Sequence, residues 1–299
     1  MAVNNFDLKK FYELTFEVCK TQYYLDNQED CYKLQDIMED YEEDKENGFS
    51  NVWEFDYYID AVEELVYCDE SVQFSRELAQ LVDYVYKLAI EAGDANRTND
   101  YGIFFYTGRY GYQDFDKALK YYKEAERLGC EITTENLGYI YYYGRTGEID
   151  YKNAYLQFAK ASTLYDRPIS TYKIGDMYKN GYYVEKSPYA AFKLYKKAEK
   201  LLPKHYTEIR LEAEAVADVY FRLGDCYHKG IGTSIDLIKA LTYFQKAQVG
   251  FILRLKSGDY LIKKMLKASI DRQNEIMQEI STTLPDMEWA KLNTGYNTI

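Results

Sequence analysis

Residues 137–161 read LGYIYYYGRTGEIDYKNAYLQFAKA, and their spacing pattern occurs four times between Asn99 and Phe251. In each copy a Gly is followed after five residues by a second Gly, after nine more by an Ala, and after six more by another Ala. The copies are Gly102-Gly108-Ala118-Ala125, Gly138-Gly144-Ala154-Ala161, Gly175-Gly181-Ala191-Ala198 and Gly224-Gly230-Ala240-Ala247. Because the spacing never changes, the chain contains a repeated structural unit.

The first half of each copy predicts a helix. Apolar residues stand just before the first Gly and three residues after it, so they share one helix face. The first Gly lies on that face and lets a neighbouring helix come close, and the second Gly ends the helix, where a positive φ favours glycine. The apolar pairs are Tyr101 and Phe105, Leu137 and Tyr141, Ile174 and Tyr178, and Leu223 and Tyr227.

The second half of each copy predicts another helix. A residue that favours the N-cap position stands six residues after the second Gly, at Asp114, Asp150, Ser187 and Asp236. Pro188 follows at the first helical position, where Pro is favoured. An Ala–aromatic–Ala stripe then recurs at i, i+4 and i+7, with Tyr122, Phe158, Tyr195 or Phe244 in the middle.

These motifs resemble the Sel1-like repeat of the tetratricopeptide-repeat superfamily, over about half of the chain. Two features depart from that pattern. The Gly that usually closes the second helix is present only as Gly129, and the spacing between copies is 36, 37 and then 49 residues. The resemblance implies an all-α fold, a right-handed α-solenoid of antiparallel helix pairs with divergent N-terminal helices and a C-terminal capping helix.

Four regions are predicted. Residues 1–98 form an acidic, divergent helical region that ends in a degenerate repeat, and 99–251 hold the four repeats. Residues 252–281 contain the capping helix, and 282–299 form a polar tail. Within the first region we expect helices over 5–24, 28–45 and 51–68, and one that is capped by Ser71 and reaches Ala92; the capping helix is expected over 259–281.

Composition limits the location and the partners. The chain starts without the apolar segment of a signal peptide, and no apolar run is long enough to span a membrane. Five cysteines, an odd number without CxxC, indicate a reduced, cytoplasmic protein. Residues 1–98 carry a net charge of −16 and residues 99–299 a net charge of +4. This balance argues against direct nucleic-acid binding and favours a basic partner for an acidic face at Glu42, Glu43 and Asp44.

Catalytic and cofactor-binding motifs are missing from the sequence. His205 and His228 have no Cys or His partner at ligand spacing, and the repeat frame explains the glycines that begin the GRYG and GRTG runs. We therefore expect no catalytic residues, no cofactor and no metal.

The first helices of such repeats line a concave groove in tetratricopeptide-like folds. When the groove positions of those folds are carried over to this sequence, the resemblance implies partner contacts at twelve residues. They are Tyr106, Glu135, Tyr139, Tyr142, Tyr143, Tyr172, Asp176, Lys179, Asn180, Phe221, Asp225 and His228. The mixture of tyrosine and polar residues suits recognition of a protein or peptide, because Tyr offers contact area at little cost in rotamer entropy.

The leading interpretation is a non-enzymatic scaffold or adaptor that binds a protein or peptide in this groove. One alternative is an inhibitor or immunity-type protein that blocks a basic partner with its acidic face. A weaker alternative is an enzyme, since some disulfide-rich Sel1-like proteins have been linked to β-lactam hydrolysis. Partner identity, pathway and oligomeric state stay open, as does whether the acidic region binds a partner or is a solvated cap.

Overall fold

The computed structural model describes residues 5–50, 54–68, 73–202 and 213–283. Within these ranges the chain is helical, without strands, and consecutive helices pack as pairs, which confirms the all-α prediction. The chain forms two compact units, Met1–Asp150 and Tyr151–Ile299, so the boundary falls between the two helices of the second copy. None of the helices in these ranges is long and apolar enough to cross a membrane.

The first unit holds nine described helices, which end with the first helix of copy two. They are α1 (Leu8–Cys19), α2 (Gln22–Asn27), α3 (Tyr32–Glu39), α4 (Tyr41–Glu46), α5 (Phe55–Tyr67), α6 (Arg76–Glu91), α7 (Ala95–Thr107), α8 (Phe115–Arg127) and α9 (Thr133–Tyr143).

The second unit completes copy two and contains copies three and four with the C-terminal helix. Its described helices are α10 (Tyr151–Leu164), α11 (Pro168–Asn180), α12 (Pro188–Leu201), α13 (Ala213–Lys229), α14 (Leu237–Lys256) and α15 (Lys263–Thr283).

The glycine pattern has the predicted structural roles. The second Gly of each copy ends the first helix with a left-handed backbone, with φ between 59° and 83°. In copies one, three and four the first Gly lies against the aromatic ring of the second helix: a Cβ built on Gly102 would be 2.7 Å from the Tyr122 ring, and one on Gly224 would be 2.9 Å from Phe244. The helices of a pair therefore approach too closely for any larger residue at this position.

Three of the four predicted N-caps, Asp114, Ser187 and Asp236, are seen in the structure. The side chains of Asp114, Ser187 and Asp236 accept hydrogen bonds from backbone N–H groups three residues later, at 2.9, 3.2 and 3.0 Å. These bonds satisfy amides that the first helical turn leaves without a partner, and so fix where each second helix begins.

The N-terminal helices are shorter than predicted. The expected helix over 5–24 breaks at Lys20, because Thr21 caps a new helix by accepting from the amide of Tyr24 at 3.3 Å. The expected helix over 28–45 is a 3₁₀ turn followed by α3 and α4, which meet at Asp40. Ser71 lies outside the described residues; Ser75 caps α6 instead, accepting from the amide of Leu78 at 3.1 Å.

Two predicted region boundaries fall inside helices. α7 begins at Ala95, so the break between residues 98 and 99 divides it, and α14 continues past Phe251 to Lys256. In the first unit a single hydrophobic core runs from Leu8 to Ile140, and therefore includes the N-terminal helices together with copy one. In the second unit Ile276 and Ile280 of α15 pack on α14, whose open side is covered in this way.

Candidate functional site

A group of aromatic rings surrounds one arginine in the first unit. We call it the aromatic–arginine cluster. The guanidinium of Arg145 lies 5.8 Å from the ring centroid of Tyr106, 5.4 Å from that of Phe115 and 5.3 Å from that of Tyr143. These distances are within the range of cation–π attraction. The cluster comprises Tyr106, Phe115, Tyr139, Tyr142, Tyr143 and Arg145.

Local structure explains the assembly of the cluster. Tyr139 and Tyr143 are one turn apart on α9, and their rings stack with centroids 6.0 Å apart and planes 4° apart. Gly144 ends α9 in the left-handed conformation, and the amide of Arg145 then donates to the carbonyl of Ile140 at 3.0 Å. The turn that ends the helix therefore fixes the backbone from which Arg145 reaches the rings.

The cluster is accessible at its centre. Tyr143 exposes 45% of its surface and Arg145 is also exposed, whereas Tyr106, Phe115, Tyr139 and Tyr142 are half-buried. A partner could therefore contact Tyr143 and Arg145 while the surrounding rings hold them in place. Arg145 and Phe115 were not among the predicted contacts, although the GRTG run contains Arg145 and its position beside a tyrosine-rich helix was a usable signal.

Two of the predicted groove residues are buried, which corrects the expectation that they face a partner. Glu135 exposes 5% of its surface and Tyr172 exposes 2%. The Tyr172 ring is covered by the guanidinium of Arg222, 4.1 Å from its centroid. Neither residue can contact a partner without opening of the packing around it.

Asp176 belongs to an internal ion pair. Its carboxylate accepts from Arg222 at 2.7 and 2.8 Å and from the hydroxyl of Tyr195 at 2.8 Å. Burial alone would raise the pKa of Asp176, but the charge and hydrogen bonds of Arg222 outweigh burial and lower it. The pair joins α11 to α13 and leaves Asp176 unsuitable as a groove contact. Lys179 is half-buried and Asn180 is exposed.

The predicted contacts of copy four face the C-terminal helix and the interior. The Phe221 ring packs between Phe244 and Phe251, with centroids 5.3 and 6.1 Å away. Asp225 lies 3.7 Å from Arg272 of α15, and His228 Nε2 lies 3.4 Å from a carboxylate oxygen of Glu279 on the same helix. Phe221 therefore packs on α14, while Asp225 and His228 contact α15, and these contacts are at odds with their assignment to partner binding.

Only two of the three residues of the predicted acidic face are exposed. Glu42 and Glu43 are exposed on α4, but Asp44 exposes only 1% of its surface. Its carboxylate accepts a hydrogen bond from the buried Tyr12 hydroxyl, which ties α4 to α1. Asp44 therefore does not contribute to an exposed face.

The described residues contain no group of three or more His, Cys, Asp or Glu side chains placed to hold a metal ion. His205 lies outside the described ranges. The prediction that Tyr139, Tyr142 and Tyr143 share one contact surface with Lys179 and Asn180 joins residues of the two units, and it stays a prediction.

Comparison with known proteins assigns the family. The Sel1 repeat matches residues 98–130, 135–165, 168–201 and 217–247, one match for each copy. The chain is a Sel1-repeat protein. Proteins of this family are generally protein-interaction scaffolds.

Two solved structures resemble this Sel1-repeat protein. The Sel1 repeat protein from Oxalobacter formigenes is 20% identical, with a TM-score of 0.52, over 73% of this chain and 84% of that one. This likeness supports the solenoid fold. The protein c5321, described as a protective antigen of uropathogenic Escherichia coli strains displaying an SLR fold, is 15% identical, with a TM-score of 0.40, over 93% of this chain and 72% of that one. No curated protein sequence was matched.

Proposed function

We propose that this Sel1-repeat protein is a non-enzymatic interaction scaffold that binds a protein or peptide through the aromatic–arginine cluster. The repeat family supports the general role. The observation that carries the specific site is the placement of Arg145 within 6 Å of three ring centroids, beside the exposed ring of Tyr143. The proposal places the protein in the cytoplasm, in keeping with its five free thiols.

The composition of the cluster suits partner binding. Tyr and Arg are enriched among the residues that contribute most to interface affinity, and truncation of such a residue costs about 2 kcal/mol or more. The stacking of Tyr139 on Tyr143 and the contacts of Arg145 restrict these side chains before a partner arrives. Binding would then cost little additional side-chain entropy.

The charge of the first unit favours a basic partner. Its 150 residues include 33 acidic and 14 basic side chains, a net charge of −19. Glu42 and Glu43 are exposed contributors to this charge. A field of this sign accelerates the encounter with a basic protein and has less effect on how long the complex lasts.

The test begins with affinity purification of partners by the full-length protein, followed by surface plasmon resonance. We expect Tyr143→Ala and Arg145→Ala to accelerate dissociation by roughly 30-fold, which corresponds to about 2 kcal/mol. Tyr189 is the matched control, since it is an exposed tyrosine on α12 of the second unit. Tyr189→Ala should leave dissociation unchanged.

Salt dependence separates the acidic residues from the cluster. Glu42→Gln with Glu43→Gln should slow association and weaken its salt dependence, because exposed charges act mainly on the encounter and are screened within about 10 Å at 0.1 M salt. Unchanged dissociation rates in both cluster variants, with a hydrogen-exchange footprint that avoids residues 106–145, would refute the assigned site.

A further inference from the structure

A second surface, in the second unit, carries lysines stacked on tyrosines. We call it the Lys–Tyr face, and it comprises Lys196, Lys239, Lys246, Tyr220, Tyr227 and Tyr243. The ammonium of Lys246 lies 5.3 Å from the ring centroid of Tyr220 and 5.6 Å from that of Tyr243. The Tyr227 and Tyr243 rings stack with centroids 5.6 Å apart and planes 4° apart. The face therefore offers flat aromatic area beneath exposed positive charge.

The helices that carry these lysines are strongly basic. α12 and α14 together contain eight Lys or Arg side chains and one acidic residue, Glu199. Glu199 accepts from the Tyr243 hydroxyl at 2.8 Å and pairs with Lys196, and Asp236 pairs with Lys239. Among the described residues, no carboxylate lies within 4.0 Å of the Lys246 ammonium. Lys246 therefore carries positive charge with no carboxylate beside it, and the exposed Lys239 adds to the basic character of the face.

An acidic surface of the required kind is present on the same chain. Residues 32–46, which cover α3 and α4, contain seven acidic and two basic side chains. Four of the acidic side chains are exposed there: Glu39 at the end of α3, and Glu42, Glu43 and Glu46 on α4. This segment has the opposite charge to the Lys–Tyr face.

We infer that the Lys–Tyr face binds the acidic α3–α4 surface of a second copy of this chain. Charge complementarity favours a second copy over an unrelated acidic protein, because one chain carries both of the matching surfaces. The net charge of −12 does not prevent this contact. At about 0.1 M salt screening extends over roughly 10 Å, so opposite charges in contact outweigh like charges spread over each copy.

The inference goes beyond the proposed function, since it uses neither Tyr143 nor Arg145 and shares with that function only the exposed charges of Glu42 and Glu43. Tyrosine rings add contact area at low entropic cost, and the lysine stems lie along them. The association should accordingly be sensitive to salt and to charge reversal, but insensitive to loss of the aromatic–arginine cluster.

Sedimentation velocity of the full chain tests the inference. At about 50 mM salt we expect the mean mass to rise with concentration above the 35.3 kDa of one chain, and at about 0.5 M salt to return to that value. Lys239→Glu with Lys246→Glu should weaken association at least tenfold, and so should Glu42→Lys with Glu43→Lys. Lys263→Glu with Lys264→Glu, the same charge change at exposed positions of α15, is the control and should associate like the parent.

Mixing the two defective variants is the decisive measurement. Each retains one intact surface, so an equimolar mixture should associate at least tenfold more tightly than either variant alone, and circular dichroism should show that both are folded. A parent that stays monomeric at low salt would overturn the inference, as would a mixture that fails to associate. Binding of a fluorescent polyglutamate peptide to a monomeric parent would instead indicate an acidic peptide as the occupant. Arg145→Ala should associate normally, which separates this result from the proposed function.

Discussion

Replacement of Gly175 by Ala tests how closely the two helices of a repeat approach. Gly175 lies on α11 and faces the ring of Tyr195 on α12. A Cβ at this position would lie 2.6 Å from Cε1 and 2.9 Å from Cδ1 of that ring, and 3.3 Å from the carbonyl oxygen of Ala191. Ordinary contacts between carbon atoms begin near 3.5 Å, so either the ring or the helix must move.

Two opposite effects determine the change in the free energy of unfolding. In a helix interior, Ala is more favourable than Gly by about 1 kcal/mol. Overpacking of a filled core costs about 1–3 kcal/mol. Tyr195 cannot easily yield, because its ring is buried and its hydroxyl donates to Asp176 at 2.8 Å. We therefore expect Gly175→Ala to destabilise the protein by about 1–2 kcal/mol and to lower the Tm by roughly 4 °C.

Thermal and urea unfolding followed by circular dichroism measure this change. Tyr195→Leu provides the matched background, because it removes the ring that the new Cβ would meet. In that background Gly175→Ala should be neutral or stabilising, and the difference between the two backgrounds gives the coupling free energy. A rise in Tm for Gly175→Ala alone, or an equal effect in both backgrounds, would refute the assigned packing.

Three further predictions concern packing, pH and catalysis. Ala125→Leu and Ala161→Leu should each lower the free energy of unfolding by about 1–3 kcal/mol, because the larger side chain overpacks a helix contact. Ala92→Leu, at an exposed position, is the control and should not. Melting curves of the two core variants that match the parent would contradict the repeat frame. Because the pKa of Asp176 is lowered, the contribution of its pair with Arg222 to stability is complete above the carboxyl pKa of the unfolded chain and is lost as pH falls through the lower folded value. Arg222→Gln should cost about 3–5 kcal/mol at pH 7. Without Arg222, burial raises the pKa of Asp176, so the variant's carboxylate is protonated as pH falls towards about 4 and the cost shrinks, while the parent's carboxylate stays ionised; a deficit that does not vary with pH in urea titrations would be evidence against the pair. The purified protein should not hydrolyse β-lactams, phosphoesters or peptides above background, and turnover that a single substitution abolishes would contradict the scaffold proposal.

The repeat architecture could be predicted because its signals are local. The Gly and Ala spacing, the N-cap at Asp114 and the helix end at Gly108 each depend on residues less than one helix apart. Backbone sterics, capping and helical periodicity act over such distances, so one copy of the pattern contains most of the information for one helix pair. The same signals were weaker in the N-terminal region. There the starts of α2 and α6 depend on single capping residues, Thr21 and Ser75.

The accessibility of the predicted contacts was decided by tertiary structure. The carboxylate of Asp176 forms an ion pair with Arg222, which is 46 residues away in the sequence. Asp44 is buried and accepts a hydrogen bond from Tyr12, which is 32 residues away in the sequence. Arg145 becomes part of a candidate interface only because helices from two copies bring rings to it. Position in a repeat determines which way a side chain points from its own helix. Whether that side chain contacts a partner or another part of the protein depends on distant residues, and the local spacing of the sequence does not predict where those residues pack.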